Sequence, residues 1–119
     1  MSDFYDDLET RSVDERESDL FVRLPNHLTE AVANASGLAA HLEGHDVRAV
    51  NSRDALAKLP VLRKPELMDA QAANPPFGGF ANEPELAGNR VFMSPGPIWE
   101  PHGLGDDSWG GGRSFFAAG

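Results

Sequence analysis

Two clusters in this sequence carry residue types whose spacing could do chemistry. The first is Ser94-Pro95-Gly96-Pro97, which leaves the short apolar run Arg90–Met93 and is followed by Glu100 and His102. Where a strand runs into a glycine-containing turn, backbone N–H groups can converge on an anion, so such a place often holds phosphate. Pro95, Pro97 and Pro101 have no N–H, however, and Glu100 is itself an anion. The stretch has the outline of a phosphate loop and lacks most of its donors. The second cluster is His41 and His45, four residues apart, a spacing that on one helix face could bind a metal. Gly44 is expected to end the helix between them, and no glutamate accompanies them in the zinc-helix pattern, so no metal site is expected. His27 and His102 have no partner in sequence. Cysteine is absent, which removes disulfides, thiolate catalysis and Cys-based zinc sites, and no catalytic residue is assigned.

The elements that must position these residues are mostly helical. Ser12-Val-Asp-Glu15 has the form of a capping box. Beyond it Leu20, Phe21, Leu24, Leu28, Ala31, Val32 and Ala35 lay one apolar stripe along a helix over 13–35, with a kink expected at Pro25. Shorter helices are expected over 38–42, over 52–58 behind a cap at Asn51 or Ser52, and over 65–73 with Pro65 at the first helical position. Pro76-Phe-Gly-Gly-Phe80 reads as a loop presenting two rings, either a ligand lid or a hydrophobic plug, the plug being the commoner use. Arg90–Met93 is a strand in need of a partner: Val61-Leu62, a strand near Pro97-Ile98-Trp99, or other chain. A last helix capped by Asp106 or Asp107 would contain Trp109, Phe115 and Phe116 but is weakened by Gly110-Gly111-Gly112.

A formal charge of −9 on 119 residues speaks against a nucleic-acid surface, which needs clustered Lys and Arg. Six of those negative charges lie in residues 1–20, where eight acids face Arg11 and Arg16. Five of the ten basic residues (Arg48, Arg53, Lys58, Arg63 and Lys64) fall between 48 and 64, a run more often a solvated face than an anion site. No stretch approaches the roughly 18 apolar residues of a membrane span, and no signal-peptide pattern is present. A cytoplasmic protein without membrane or nucleic-acid partners is the expectation.

Four stretches, Tyr5-Asp-Asp-Leu-Glu-Thr-Arg11 with Glu15-Arg16, Leu59-Pro-Val-Leu-Arg-Lys-Pro-Glu-Leu67, Pro76 to Phe80 and Arg90 to Pro101, follow one another in a recognisable order. Together they resemble the beginning of the phenylacetate–CoA ligase branch of the AMP-forming, adenylate-forming enzymes. That resemblance implies a parent reaction in which ATP and magnesium activate a carboxylic acid as acyl-adenylate, with transfer of the acyl group to CoA. In the family the strand leads into a turn of the type Ser-Ser-Gly-Thr-Thr-Gly-Lys-Pro that looks after the ATP phosphates. Ser94, Gly96 and Pro101 match it, and Ser94 and Gly96 are carried over as nucleotide-loop positions. Pro95, Pro97, Ile98, Trp99 and Glu100 depart from it, replacing hydroxyls, a glycine and the lysine. A carboxylate at contact distance opposes a phosphate by about 1 kcal/mol per charge pair in water and by more in a less polar site.

The fold expected is mainly α with one short strand or hairpin, as the N-terminal part of an α/β adenylate-forming domain. It divides into an acidic lead over 1–12, a helical part over 13–75, and a Gly/Pro-rich loop, strand and degenerate nucleotide loop over 76–119. Such a segment should not catalyse the parent reaction or take a cofactor alone. Its partner would be the remainder of the adenylation domain. The alternative is a small interaction subunit that docks on a separately encoded adenylation domain.

Overall fold

The computed structural model describes residues 3–86, 88–105, 107 and 110–119. Helix α1 (Val13–Asn34) starts where the sequence dictates: the Ser12 hydroxyl accepts from the Glu15 amide at 3.2 Å, and the Glu15 carboxylate accepts from the Ser12 amide at 2.8 Å. Both halves of the capping box are therefore made. The helix runs through Pro25 as one element, with the Thr29 hydroxyl donating to the Pro25 carbonyl at 2.7 Å. It then turns at buried Ala35 into α2 (Ser36–His41), which packs back on it together with a 3-10 turn at Val47–Ala49. Next come α3 (Arg53–Leu56), the extended segment Pro60–Leu62 and α4 (Lys64–Ala73). The Arg53 guanidinium bonds both carboxylate oxygens of Glu17, which fastens α3 to α1.

From α4 the chain enters Pro76-Phe-Gly-Gly-Phe80, and this turn joins the two parts of the fold. Gly79 accepts from the Gly37 amide at 2.8 Å, and the Gly78 amide donates to Asn74 at the end of α4. Phe77 is buried and Phe80 half-buried beside His41, so the turn plugs the seam between α2 and α4. Gly78 and Gly79 have φ of +64° and +76°, and a Cβ on either would press into backbone of α4 or of Gly37. After α5 (Glu83–Leu86), β1 (Val91–Ser94) and β2 (Ile98–Pro101) form an antiparallel hairpin with Met93 opposite Trp99 and Ser94 opposite Ile98. Helix α6 (Gly112–Ala118) follows, and its Arg113 pairs with Asp6 and Glu9 while Phe116 meets the ring of Tyr5.

Among the described residues the chain is mainly helical with one two-stranded hairpin. Several boundaries differ from the sequence reading. The second helix starts at Ser36 rather than Leu38, and the third ends at Leu56, short of residue 58. Lys64 is already helical, which makes Pro65 the second helical residue. The strand is Val91–Ser94 rather than Arg90–Met93, because a turn of only Pro95–Pro97 draws Ser94 into the ladder opposite Ile98. Its partner is Ile98–Pro101, and Val61-Leu62 stays outside the sheet. The last helix begins at Gly112 because the Asp107 carboxylate takes the amides of Gly111 and Gly112. Trp109 and Asp106 lie outside the described residues.

The core is thin. Its buried apolar members are Ala35, Leu42, Val50, Phe77 and Ile98, and no described side chain is completely enclosed. The accessible surface is 8685 Å², where a compact monomer of 12.8 kDa would expose about 6,300 Å². The radius of gyration, 16.6 Å, likewise exceeds the roughly 13.5 Å of a compact domain of this length. Leu20, Val22, Val61, Met93 and Phe115 all stand exposed.

Replacing Gly79 by Ala should lower stability in urea denaturation by more than the about 1–2 kcal/mol that left-handed backbone alone costs a side chain, because of the contact with Gly37. Gly44→Ala is the control: its φ is +80° with open space around it, so only the backbone cost should appear. A second expectation concerns acid. The Ser12 backbone N–H, then its hydroxyl, holds the Glu15 carboxyl below the usual carboxylate range, and Arg11, then Arg23, does so for Asp19. A folded-state pKa below the unfolded one means stabilisation that is complete above the ordinary range and lost as pH falls through the folded value. Helix content followed by circular dichroism should therefore drop on acidification below that range, and less steeply in Ser12→Ala, which is weaker at neutral pH by about 1 kcal/mol.

Candidate functional site

The residues singled out for phosphate chemistry lie at the tip of the hairpin. Gly96 has φ +107°, a conformation that favours glycine, and forms the apex between Pro95 and Pro97. Ser94 sits in β1, where its hydroxyl donates to the Ile98 carbonyl at 3.4 Å. The two are thus adjacent, but their donors do not converge. Within the turn proper, Gly96 is the one residue with an N–H, since its neighbours are prolines.

A cation does stand there, and it comes from elsewhere in the chain. Lys64, in the first turn of α4, reaches across so that its Nζ donates to the Pro95 carbonyl at 3.0 Å. A Cβ at Gly96 would come within 2.7 Å of that Nζ, so glycine at the apex also makes room for the lysine. Lys64 belongs to the basic run already visible in sequence, but nothing in the sequence ties it to a turn 31 residues away. Glu100 lies opposite Phe92 on β2.

Behind the tip, Gln71 holds the body of the hairpin on α4. Gln71 Nε2 donates to the Trp99 carbonyl at 2.9 Å, and the Trp99 amide donates to Gln71 Oε1 at 2.9 Å. A carboxamide presents one donor and one acceptor side by side, as a peptide unit does, so Gln71 acts as a one-residue neighbouring strand for β2. Among the described residues it is the buried polar side chain, and both its functions are satisfied. The Trp99 amide, which a phosphate would otherwise be offered, is therefore already engaged. One free N–H and one lysine do not make the multi-donor cradle that a triphosphate needs. The turn does not fit the family's nucleotide role with the residues it has.

The remaining candidates separate. His41 Nε2 donates to the Pro60 carbonyl and His45 Nδ1 to the Glu43 carbonyl, each at 3.2 Å, so the pair does not share a centre. Among the described residues no group of three or more His, Asp or Glu is placed to hold a metal. Two of the open grooves formed by the described residues have mainly apolar walls. One of about 510 Å³ runs along α1 past Leu20, Leu24, His27 and Glu30, and one of about 500 Å³ lies between α2 and Pro60–Leu62, with His41, Glu66 and Phe80 in its wall. No described helix is long and apolar enough to cross a membrane.

No family model, curated protein or solved structure matches the chain.

Gln71→Met should free Trp99 while nearly preserving volume. The two stranded backbone groups make a loss of about 1–3 kcal/mol the expectation, together with faster hydrogen exchange at the Trp99 amide. Lys64→Ala should change stability far less, because that bond is exposed.

Proposed function

We propose that the chain is the N-terminal segment of a phenylacetate–CoA ligase-like enzyme, without catalysis of its own. The observation that carries this reading is the large uncovered surface, on which Leu20, Val22, Val61, Met93 and Phe115 stand exposed. About 2,400 Å² more than a compact monomer exposes is within the range that each partner contributes to an obligate interface. The order of the four sequence stretches supplies the identity of what would cover it, the remainder of the adenylation domain. In that setting the enzyme would act in the cytoplasm, activating a carboxylic acid with ATP and passing it to CoA. The hairpin turn would hold the position of the nucleotide loop through Ser94 and Gly96, with its phosphate chemistry reduced. No step is assigned to the turn.

A second reading shares the same support. The side of α1 that carries exposed Leu20 and half-buried Leu24, with the open groove beside it, would suit a small subunit that docks on a separately encoded adenylation domain.

Titration calorimetry of the chain with ATP and magnesium is expected to give no binding heat at micromolar concentrations. Micromolar affinity would overturn the proposal. Addition of a separately produced adenylation domain of this family should raise the denaturation midpoint. No rise, with the chain already unfolding cooperatively alone, would remove both readings.

A further inference from the structure

We infer that β1 pairs with β1 of a second copy, giving a symmetric four-stranded sheet across a two-fold axis at Phe92. This pairing follows from the hairpin alone and is independent of the ligase reading. Trp99 turns its N–H and C=O outward to Gln71, so in an antiparallel ladder Met93, directly opposite, also turns its backbone groups outward on the other side. By alternation Val91 does the same, and the bond from the His102 amide to the Arg90 carbonyl fixes the same phase. The two hairpin edges then differ sharply. The edge of β2 is closed by Gln71 and interrupted by Pro101, whereas β1 has no strand on its outer side among the described residues.

Edges left open in this way are normally guarded by lysine, proline or a bulge. Val91-Phe-Met-Ser94 has none of these, and Val91 and Met93 are 47% and 57% exposed. A second copy completes this edge in one register. Centred on Phe92, it places each Val91 opposite the other copy's Met93 in a hydrogen-bonded pair, so that two pairs exchange four backbone bonds. Arg90, the charged residue flanking the strand, then faces Ser94 rather than another arginine. Opposed residues share a face, so Val91 and Met93 of both copies extend the apolar face that carries Trp99. The same patch serves both copies, as a closed dimer requires. A four-residue ladder falls well short of the about 1,200 Å² of a stable interface, so the dimer should be weak and concentration-dependent. With −9 on each copy, salt should strengthen it.

The chain has no cysteine, which makes single-cysteine crosslinking a direct test. Phe92→Cys should form a disulfide-linked dimer under mild oxidation, since facing Cα atoms about 4.5 Å apart at a non-hydrogen-bonded pair suit the bond. A mixture of Val91→Cys and Met93→Cys chains should crosslink to each other, and Val91→Cys alone should not. Sedimentation of the unsubstituted chain should show dimer rising with concentration and salt, and Met93→Pro, which removes an outward N–H, should lose it. Equal crosslinking by Val91→Cys alone, or a monomer at every concentration and salt, would overturn the inference. The two-chain mixture keeps the test decisive if Phe92→Cys fails to fold.

Discussion

Helix α4 and the hairpin resting on it are joined to the α1–α2 part of the fold at a close approach of three glycines. Gly37 lies in the first turn of α2, Gly78 and Gly79 follow α4, and the Gly37 amide donates to the Gly79 carbonyl where any Cβ would intrude. Backbone can come this near to backbone only without side chains, and the positive φ of Gly78 and Gly79 adds a second reason for the residue type. The bond links α2, which packs on α1, to the turn that leaves α4, a helix that begins 27 residues beyond Gly37 at Lys64. Phe77 then has a seam to fill, and His41 acquires Phe80 and Pro60 as neighbours.

The hairpin depends in turn on α4. Two strands are marginal in water, and this pair has almost no apolar layer beneath it beyond Ile98. Gln71 supplies what a third strand would, one donor and one acceptor, and Lys64 pins the tip from the other end of the same helix. Helix α4 thus sets both the position and the register of the turn. With the helix as a ruler about 1.5 Å per residue, Lys64 and Gln71 are some 10 Å apart along it, about the reach of three strand residues from the tip to Trp99.

Local signals were readable in the residues and non-local ones were not. The Ser12–Glu15 box and the Ser52 cap are each decided within a few residues, and the structure has them, whereas α2 ends at His41, ahead of the left-handed Gly44. The helical stripe over 13–35 was visible as a period, but the period does not tell how fully a face is covered, and α1 has no buried residue. Gln71 looked like an ordinary position on a helix face because its partner lies 28 residues on. Gly78 and Gly79 read as part of a loop for the same reason: their partner, Gly37, is set by tertiary contact. Lys64 appeared as one charge in a basic run, and only the folded chain moves it away from Arg53, which is bound to Glu17.

The proline-rich turn then has a consistent physical meaning. Each proline that displaces a donor also fixes φ, so Pro95 and Pro97 lower the entropy lost on closing a hairpin that has little else to hold it. The Gly96 apex supplies the one conformation the prolines cannot, and its missing side chain leaves space for Lys64. The lysine's bond to Pro95 uses a carbonyl, a group that a bound phosphate would repel and a structural turn can spare. A cradle for anions needs N–H groups turned inward and free, whereas this tip has replaced them with rigidity and an internal cation. The same residues that make the turn a poor phosphate loop make it a good closure for a short hairpin.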